Sequence, residues 1–431
     1  MKRLLFLMLC LIALSSLPAL AANPIREAHK AMKNAKYEED ENEAKSTAES
    51  LNTAEKNLLE ALNDEKEQIR RAEIYFTAAL IQCKFHEIEN TKIYLKKEYD
   101  TTLFYNSIVN AYLYAQQCDS TEQIIAADNN GKFKFRPKCR KILSTHRKNL
   151  LNGGRFYMLK KDFPQAARFL NLYLLSADYP LAGDAFNEAH DSMFVRTNYW
   201  ALASNFYAGN YHKVLIYAPA AFRYPNRRQY IQEYVCRSYL ALNDSAAWEQ
   251  QLKKGLNNWP EHDYFFTALE ECLARKKKFA EALAYADSAL SRNPKNPDYW
   301  HARAFATLHL KDYDACISSC NNVLALDSLN ASACFMKGVA YCNMAEQEAD
   351  EMKNEDILSD DYKKHRDKMT ELYELAETPL VQARTLTPKK AAFWAPPLYL
   401  VYLNLNKGKE FEEIEHIVDK LPDNPIQSEH K

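Results

Sequence analysis

The sequence predicts an all-α chain built as a solenoid of stacked helix pairs, on three observations. Helix-ending residues recur at a fixed interval, with Pro260, Pro294 and Ser328 each 34 residues apart. Composition suits helices and starves tight turns: there are 8 glycines in 431 residues, while Ala, Leu, Glu and Lys are abundant. Between the breakers, small side chains return at spacings that place them on one helix face.

From its start the chain reads Met1-Lys2-Arg3, stays apolar from Leu4 to Leu14, turns at Ser15-Ser16-Leu17-Pro18 and offers Ala19-Leu20-Ala21. That is the pattern of a signal peptide, residues 1–21, cleaved after Ala21. The apolar run of about a dozen residues is short of the ~20 that span a bilayer, so no transmembrane span is expected after cleavage. Cys10 sits inside this run behind Leu9 rather than after a small residue at its end, which disfavours a lipid anchor. Residues 22–128 read as an N-terminal helical region in which Ala54, Leu58 and Ala61 echo a degenerate repeat. Residues 129–146 read as a basic linker, 147–421 as the repeat array and 422–431 as a C-terminal tail.

The array carries the period. In the unit Pro297 to Asn330, Trp300 takes position 4, Tyr313 precedes the second helix, and Cys316, Cys320 and Val323 fill small-residue positions 20, 24 and 27. The preceding unit, Asp263 to Asn296, places Phe266, Leu269, Phe279, Ala282, Ala286, Ala289 and Pro294 in register. Small residues let the second helix approach the first, a large residue at position 4 fills the remaining gap, and proline at position 32 stops the second helix. Backwards, Gln229 to His262 fits with Val235, Tyr239, Leu252 and Pro260, though Trp248 stands where a small residue is expected. Gly209-Asn210-Tyr211 marks an earlier inter-helix turn, and Gly153-Gly154, Tyr157, Phe163 and Ala166 fit a unit starting near Arg147. Forwards, Ala331 to Met344 forms a first helix with Gly338 and Tyr341 in place, but Ala376, Leu380, Ala383 and Pro388 fit only after an insertion of 26 residues. The charged insertion at 345–370 is expected to lengthen both helices into a hairpin. A last unit starts near Ala391, with Trp394 at position 4 and a second helix from Glu410 to about Leu421.

Thirty-four residues is the tetratricopeptide length, and from Arg147 to Leu421 the chain resembles a tetratricopeptide-repeat (TPR) protein. Trp394-Ala395-Pro396-Pro397-Leu398-Tyr399, the run from Asn406 to Glu415, and Asn149 to Gly154 are similar to segments of exported repeat proteins of the Bacteroidota. The resemblance implies a right-handed α-solenoid of about 6–8 helix pairs, some degenerate, that binds peptides or partner proteins on its concave face. It carries no catalytic residues to transfer. In such repeats the concave face is read from positions 2, 5, 9, 12 and 13 of each first helix. Here those positions offer Tyr230, Glu233 and Arg237, then Tyr264, Thr267, Glu271 and Arg275, then His301, Phe305 and His309, then Phe335 and Asn343. Relatives that clamp a chaperone's C-terminal carboxylate use Lys paired with Asn or Arg at these places; those pairs are missing, which excludes that partner class.

A basic stretch is the second candidate. Asn129 to Lys161 holds no acidic residue, and Lys132, Lys134, Arg136, Lys138, Arg140 and Lys141 interleave with Phe133 and Phe135. Cations with aromatics suit nucleic acid, which export excludes; the alternatives are an anionic envelope component, an acidic partner, or pairing with the acidic N-terminal helices from Glu38 to Glu67. Without Lys2 and Arg3 the 56 basic residues become 54 against 57 acidic ones, a formal charge of −3 with no bulk pull toward nucleic acid or membrane. Ten cysteines less Cys10 leave nine, an odd number, read as small core residues; if any pair bonds, Cys118 with Cys139 is the choice. No GxGxxG, P-loop, HExxH, GxSxG or CxxC occurs. His301 and His309 share a helix face without further ligands, so neither metal nor cofactor is expected. The sequence therefore predicts a non-catalytic scaffold or adaptor of the periplasm or cell envelope that holds an extended peptide or partner protein. The alternative is a glycan-binding or envelope-component-binding protein.

Overall fold

The computed structural model describes residues 23–128, 132–182, 191–353 and 355–421, so the expected signal peptide and C-terminal tail lie outside it. Among the described residues the regular structure is helical: α1 Pro24–Asn34, α2 Glu41–Ala61, α3 Arg71–Tyr94, α4 Thr101–Asp128, α5 Arg136–Leu159, α6 Phe163–Leu175, α7 Phe194–Tyr207, α8 Tyr211–Ala221 and α9 Arg228–Ala241, then α10 Ser245–Asn258, α11 Asp263–Arg275, α12 Phe279–Arg292, α13 Pro297–His309, α14 Tyr313–Leu326, α15 Ala331–Met352, α16 Asp360–Leu386, α17 Ala391–Asn404 and α18 Gly408–Val418, with short 3₁₀ turns between some of them. The chain divides into two compact units, residues 1–243 and 244–431, a boundary inside the 147–421 array read from the sequence. Within each unit helices pack chiefly on their neighbours in the chain, the quasi-one-dimensional arrangement of a repeat fold.

The 34-residue period is written into the backbone. Helices α11, α13 and α15 begin at Asp263, Pro297 and Ala331, and α12 and α14 at Phe279 and Tyr313, all at that interval. Left-handed backbone recurs with it, at Gly209 (φ 77°), Asn243 (59°), Lys277 (55°) and Lys311 (63°). At each such residue a helix ends and the chain reverses. The Lys278 amide bonds back to the Leu273 carbonyl at 2.9 Å and that of Asp312 to Thr307 at 3.0 Å, the six-to-one bond of a Schellman turn. Asp162, Asp244 and Asp312 then cap the next helix by accepting the amides of Gln165, Ala247 and Ala315 at 3.2, 3.0 and 3.2 Å. The fold is all-α with helix pairs of the tetratricopeptide kind.

Small residues set how closely the helices approach. Ala304, Cys316, Cys320, Val323, Ala333, Met336 and Ala340 form one buried cluster in the second unit. A Cβ on Gly338 would run into Leu380, and one on Gly154 would stand 2.5 Å from Leu170 Cδ2. In the first unit Tyr112, Leu150, Phe169 and Leu170 belong to one core, while Ile25, Leu51, Leu58, Ile74 and Ile81 make a separate N-terminal one. Residues 345–370 extend both helices of the hairpin α15/α16, which reach 22 and 27 residues.

From Arg136 onward the segment expected to be a linker is helix. Arg136 begins α5, which buries Cys139, Ile142 and Leu143, so the expected boundary falls inside packed structure. Apolar residues every third or fourth position win over the run of charge between them. The buried Glu122 carboxylate of α4 accepts the amides of Phe135 and Arg136, both at 2.8 Å, capping the positive end of α5. The cysteines from Cys83 onward are free thiols, all buried except the half-buried Cys83. Cys118 and Cys139 are neighbours, and a hydrogen bond between them, then burial, raise the Cys118 pKa. Burial pushes Cys83, Cys236 and Cys342 up to about 12, which holds them as unreactive thiols near neutrality.

Gly338→Ala is expected to destabilise the protein by about 1–3 kcal/mol through overpacking against Leu380. Gly408→Ala, whose Cβ meets nothing within 4 Å, should gain roughly 0.5–1 kcal/mol or change little. Urea midpoints of the two variants against the parent measure both, and equal midpoints would refute the close-approach account.

Candidate binding groove

The second unit presents a groove of about 320 Å³ between α11 and α13. Its walls are Phe266, Thr267, Glu270, Glu271 and Ala274 from α11, and Asp298, His301, Ala302 and Phe305 from α13. The sequence puts them there by helical spacing: residues 267, 270, 271 and 274 share a face, as do 298, 301, 302 and 305. The 34-residue interval then sets the two faces side by side.

Of the residues predicted from the sequence, Glu271, His301 and Phe305 line this groove together with Thr267. The exposed Glu271 pairs with Arg275 one helical turn on, so the rim carries a closed ion pair. His301 Nε2 lies 2.7 Å from the Ser332 hydroxyl, and burial lowers its pKa, which keeps the ring neutral at neutral pH. His309 is outside the groove lining, stacked on Phe279 at 4.4 Å and edge-on to Phe305 at 4.5 Å. Tyr264 packs edge-on to Phe265 at 5.5 Å. Phe335 stacks on Phe393 at 4.0 Å and joins a different core cluster. Asn343 hydrogen-bonds Tyr313. Tyr230, Glu233 and Arg237 sit on α9 in the first unit, where Arg237 bonds Glu233 at 2.7 Å and the Arg227 guanidinium lies 5.7 Å from the Tyr230 ring.

The basic stretch divides between structural and exposed groups. Arg136 makes two bonds to Asp119, at 2.5 and 3.0 Å, and its guanidinium covers Phe133 at 3.6 Å. Arg140 donates to the Leu181 carbonyl at 2.8 Å. The Lys134 ammonium lies 4.0 Å from Glu73 and 4.7 Å from the Phe135 ring. Lys138 reaches toward Phe76 and Phe135, at 5.6 and 5.7 Å from their ring centres, while Lys132 and Lys141 are exposed. The acidic partners therefore come from α3 and α4, not from the Glu38 to Glu67 segment the sequence suggested. Tertiary packing brings Asp119, Glu122 and Glu73 to the start of α5, which sequence distance conceals.

The groove residue that sequence reasoning missed is Glu270. It occupies position 8 of its unit, where other units carry Cys236, Ala304, Gly338 and Leu398. Those four are buried and uncharged, and a carboxylate is out of place among them. Its Oε1 is shut off from water and has no hydrogen-bond partner. Burial, with no compensating charge, pushes its pKa up to about 8. Glu249 in the same unit shows the contrast: it is buried too, but bonds Lys253, Lys276 and Lys278 at 2.6, 2.7 and 2.8 Å. Those bonds hold its pKa down to about 2. Aligning the units by their period would have exposed Glu270 as the ionisable carboxyl in a column of buried uncharged residues. Among the described residues no group of three or more His, Cys, Asp or Glu is placed to hold a metal ion, and no helix is long and apolar enough to cross a membrane.

No family model matches the chain, and no curated protein does. Solved structures resemble it at low identity. A tetratricopeptide repeat protein from Parabacteroides merdae shares 15% identity, covering 61% of this chain and 100% of its own, at a TM-score of 0.35. YrrB, described as a TPR protein with an unusual peptide-binding site, shares 15%, covering 51% of this chain and 94% of its own, at 0.33. MamA shares 15%, covering 46% and 97%, at 0.34. Likeness at this level carries no argument about function.

The shift at Glu270 has a stability consequence of definite sign. The carboxyl keeps its proton to about pH 8 when folded but loses it near 4.5 when unfolded, so between those values the folded state holds more protons and stability falls as pH rises. Glu270→Gln should therefore raise stability at pH 8.5 by roughly 1–3 kcal/mol and leave it unchanged at pH 4. Urea midpoints of variant and parent at both pH values check this; equal midpoints at pH 8.5 would overturn it.

Proposed function

We propose that this protein is a non-catalytic protein-interaction scaffold of the cell envelope, exported by its N-terminal leader, that grips an extended segment of a partner protein in the α11/α13 groove. The observation that carries the reading is the groove itself, in which Phe266 and Phe305 supply aromatic anchors and Thr267, Glu270, Glu271, Asp298 and His301 supply polar groups. A few aromatic anchors with polar groups around them is the arrangement that concentrates binding energy in peptide and protein recognition. A volume of about 320 Å³ lies at the bottom of the ~300–1,000 Å³ range of small-molecule sites, which favours one or two side chains of a polymer over a cofactor. The first helices repeat with the period, so neighbouring faces can follow an extended chain.

Support for export comes from the Met1-Lys2-Arg3 start, the apolar run to Leu14 and the Ala19-Leu20-Ala21 site. Mass spectrometry of the protein recovered from its native cell should find Ala22 as the N-terminus, in the envelope fraction; an intact Met1 in the cytoplasm would refute export. A photocrosslinking residue at the exposed Thr267 should capture a partner in living cells, while one at Lys277 on the neighbouring turn should not. Phe305→Ala is expected to weaken capture at Thr267 at least tenfold, about 1.4 kcal/mol or more, with helicity retained by circular dichroism. Capture unchanged by Phe305→Ala would count against the groove.

A further inference from the structure

The chemistry of the groove specifies what it holds, on the premise that the groove is a peptide site. Glu270 interrupts the repeat at a position where other units bury an uncharged residue, and the interruption brings no internal bond. Other buried carboxylates of this protein are tied down: Asp119 by Arg136, Glu122 by backbone amides, Asp191 by Arg147 at 3.0 Å, and Glu249 by three lysines. Glu270 Oε1 has no such partner. A buried acceptor without a donor is costly to folding, and an unpaired carboxylate facing a groove is half of an interaction whose other half comes from outside.

The surroundings say which half is missing. No Lys or Arg lines the groove; its acidic side chains are Glu270, Glu271 and Asp298. Arg275, one turn on from Glu271, is engaged by it on the rim. His301 faces the space as a neutral ring bonded to Ser332. Carboxylate or phosphate ligands would meet Glu271 and Asp298 with no lining cation to offset them. Phe266 and Phe305 contribute aromatic surface to the lining, and aromatic rings attract cations and pack alkyl stems. We propose that the α11/α13 groove is a specificity pocket for a lysine or arginine side chain of an extended partner segment, with the Glu270 carboxylate receiving the cation and Phe266 and Phe305 flanking its stem.

Binding then carries a proton signature. Below about pH 8 the free Glu270 is a carboxylic acid. Pairing with an ammonium or guanidinium favours its ionised form, so the proton on Glu270 passes to the buffer as the cation enters, and the ligand keeps its own charge.

The test is calorimetry on the full mature chain at pH 7 with acetylated, amidated seven-residue peptides of Gly and Ala carrying one central Arg, Lys, Gln or Leu. The Arg and Lys peptides should bind at least tenfold more tightly than the Gln and Leu peptides. Their binding enthalpy should vary with the ionisation enthalpy of the buffer, reporting release of up to one proton. Glu270→Gln should abolish both the preference and the proton release, while Glu412→Gln, an exposed acid on α18 outside the groove lining, changes affinity no more than about twofold. Equal binding of Leu and Lys peptides, or a cation preference that survives Glu270→Gln, overturns the proposal. If Phe305→Ala weakens all four peptides alike and Glu270→Gln weakens none, the peptide groove stands and the cation assignment falls. Failure of all four peptides to bind at millimolar concentration also ends the cation assignment, and crosslinking at Thr267 then decides separately whether the groove takes another segment.

Discussion

Several helix contacts in this protein depend on a close approach that larger side chains would forbid. Gly338 meets Leu380, Gly154 meets Leu170 and Gly255 meets Phe265 with no room for a methyl group. Cys316, Cys320 and Val323 seat α14 against its neighbours in the same way. The surfaces so joined are apolar stripes along single helices, too narrow to hold a lone pair together, which is why the pairs occur as an array. Tight turns follow from the same requirement. A second helix that must lie against the first needs an abrupt reversal, and left-handed backbone at Gly209, Asn243, Lys277 and Lys311 supplies it every 34 residues.

That rule makes its exception informative. Position 8 takes the uncharged, buried Cys236, Ala304, Gly338 and Leu398 because the fold closes over it, and Glu270 takes it in the unit from Asp263. The carboxyl is buried without a partner and protonated at neutral pH. Natural sequences depart from local consistency chiefly where function demands it. The contrast with Glu249 separates two uses of a buried acid in one unit. Three lysines make Glu249 a structural joint between α10 and the α11–α12 turn, whereas Glu270 opens onto an aromatic groove.

Much of the fold was legible because its signals are local. Proline and glycine punctuation, Asp before second helices and the small-residue columns act within a few residues of where they are read. The hairpin α15/α16 and the turn at Gly209 were legible on the same grounds. The N-terminal half was harder. The start of α5 looked like a linker because its charges dominate the sequence, yet they point away from Cys139, Ile142 and Leu143, and their partners Asp119 and Glu122 belong to another helix. Of the groove, the aromatic and rim residues Phe305, His301 and Glu271 were visible from repeat positions. Tyr264, Phe335 and Asn343 were equally well placed in the repeat, but they pack against or bond to neighbouring side chains.

By itself the sequence determined the helical class, the 34-residue period, the turns and which helix faces would be available, because each rests on backbone preference and short-range spacing. Tertiary structure alone decided which of those faces becomes a groove, that Glu270 Oε1 is shut off from water and unpaired while Glu249 is saturated, and that the basic stretch is partly neutralised by α3 and α4. These depend on distances between residues remote in the chain, where an ångström settles whether a charge meets water, a partner or neither.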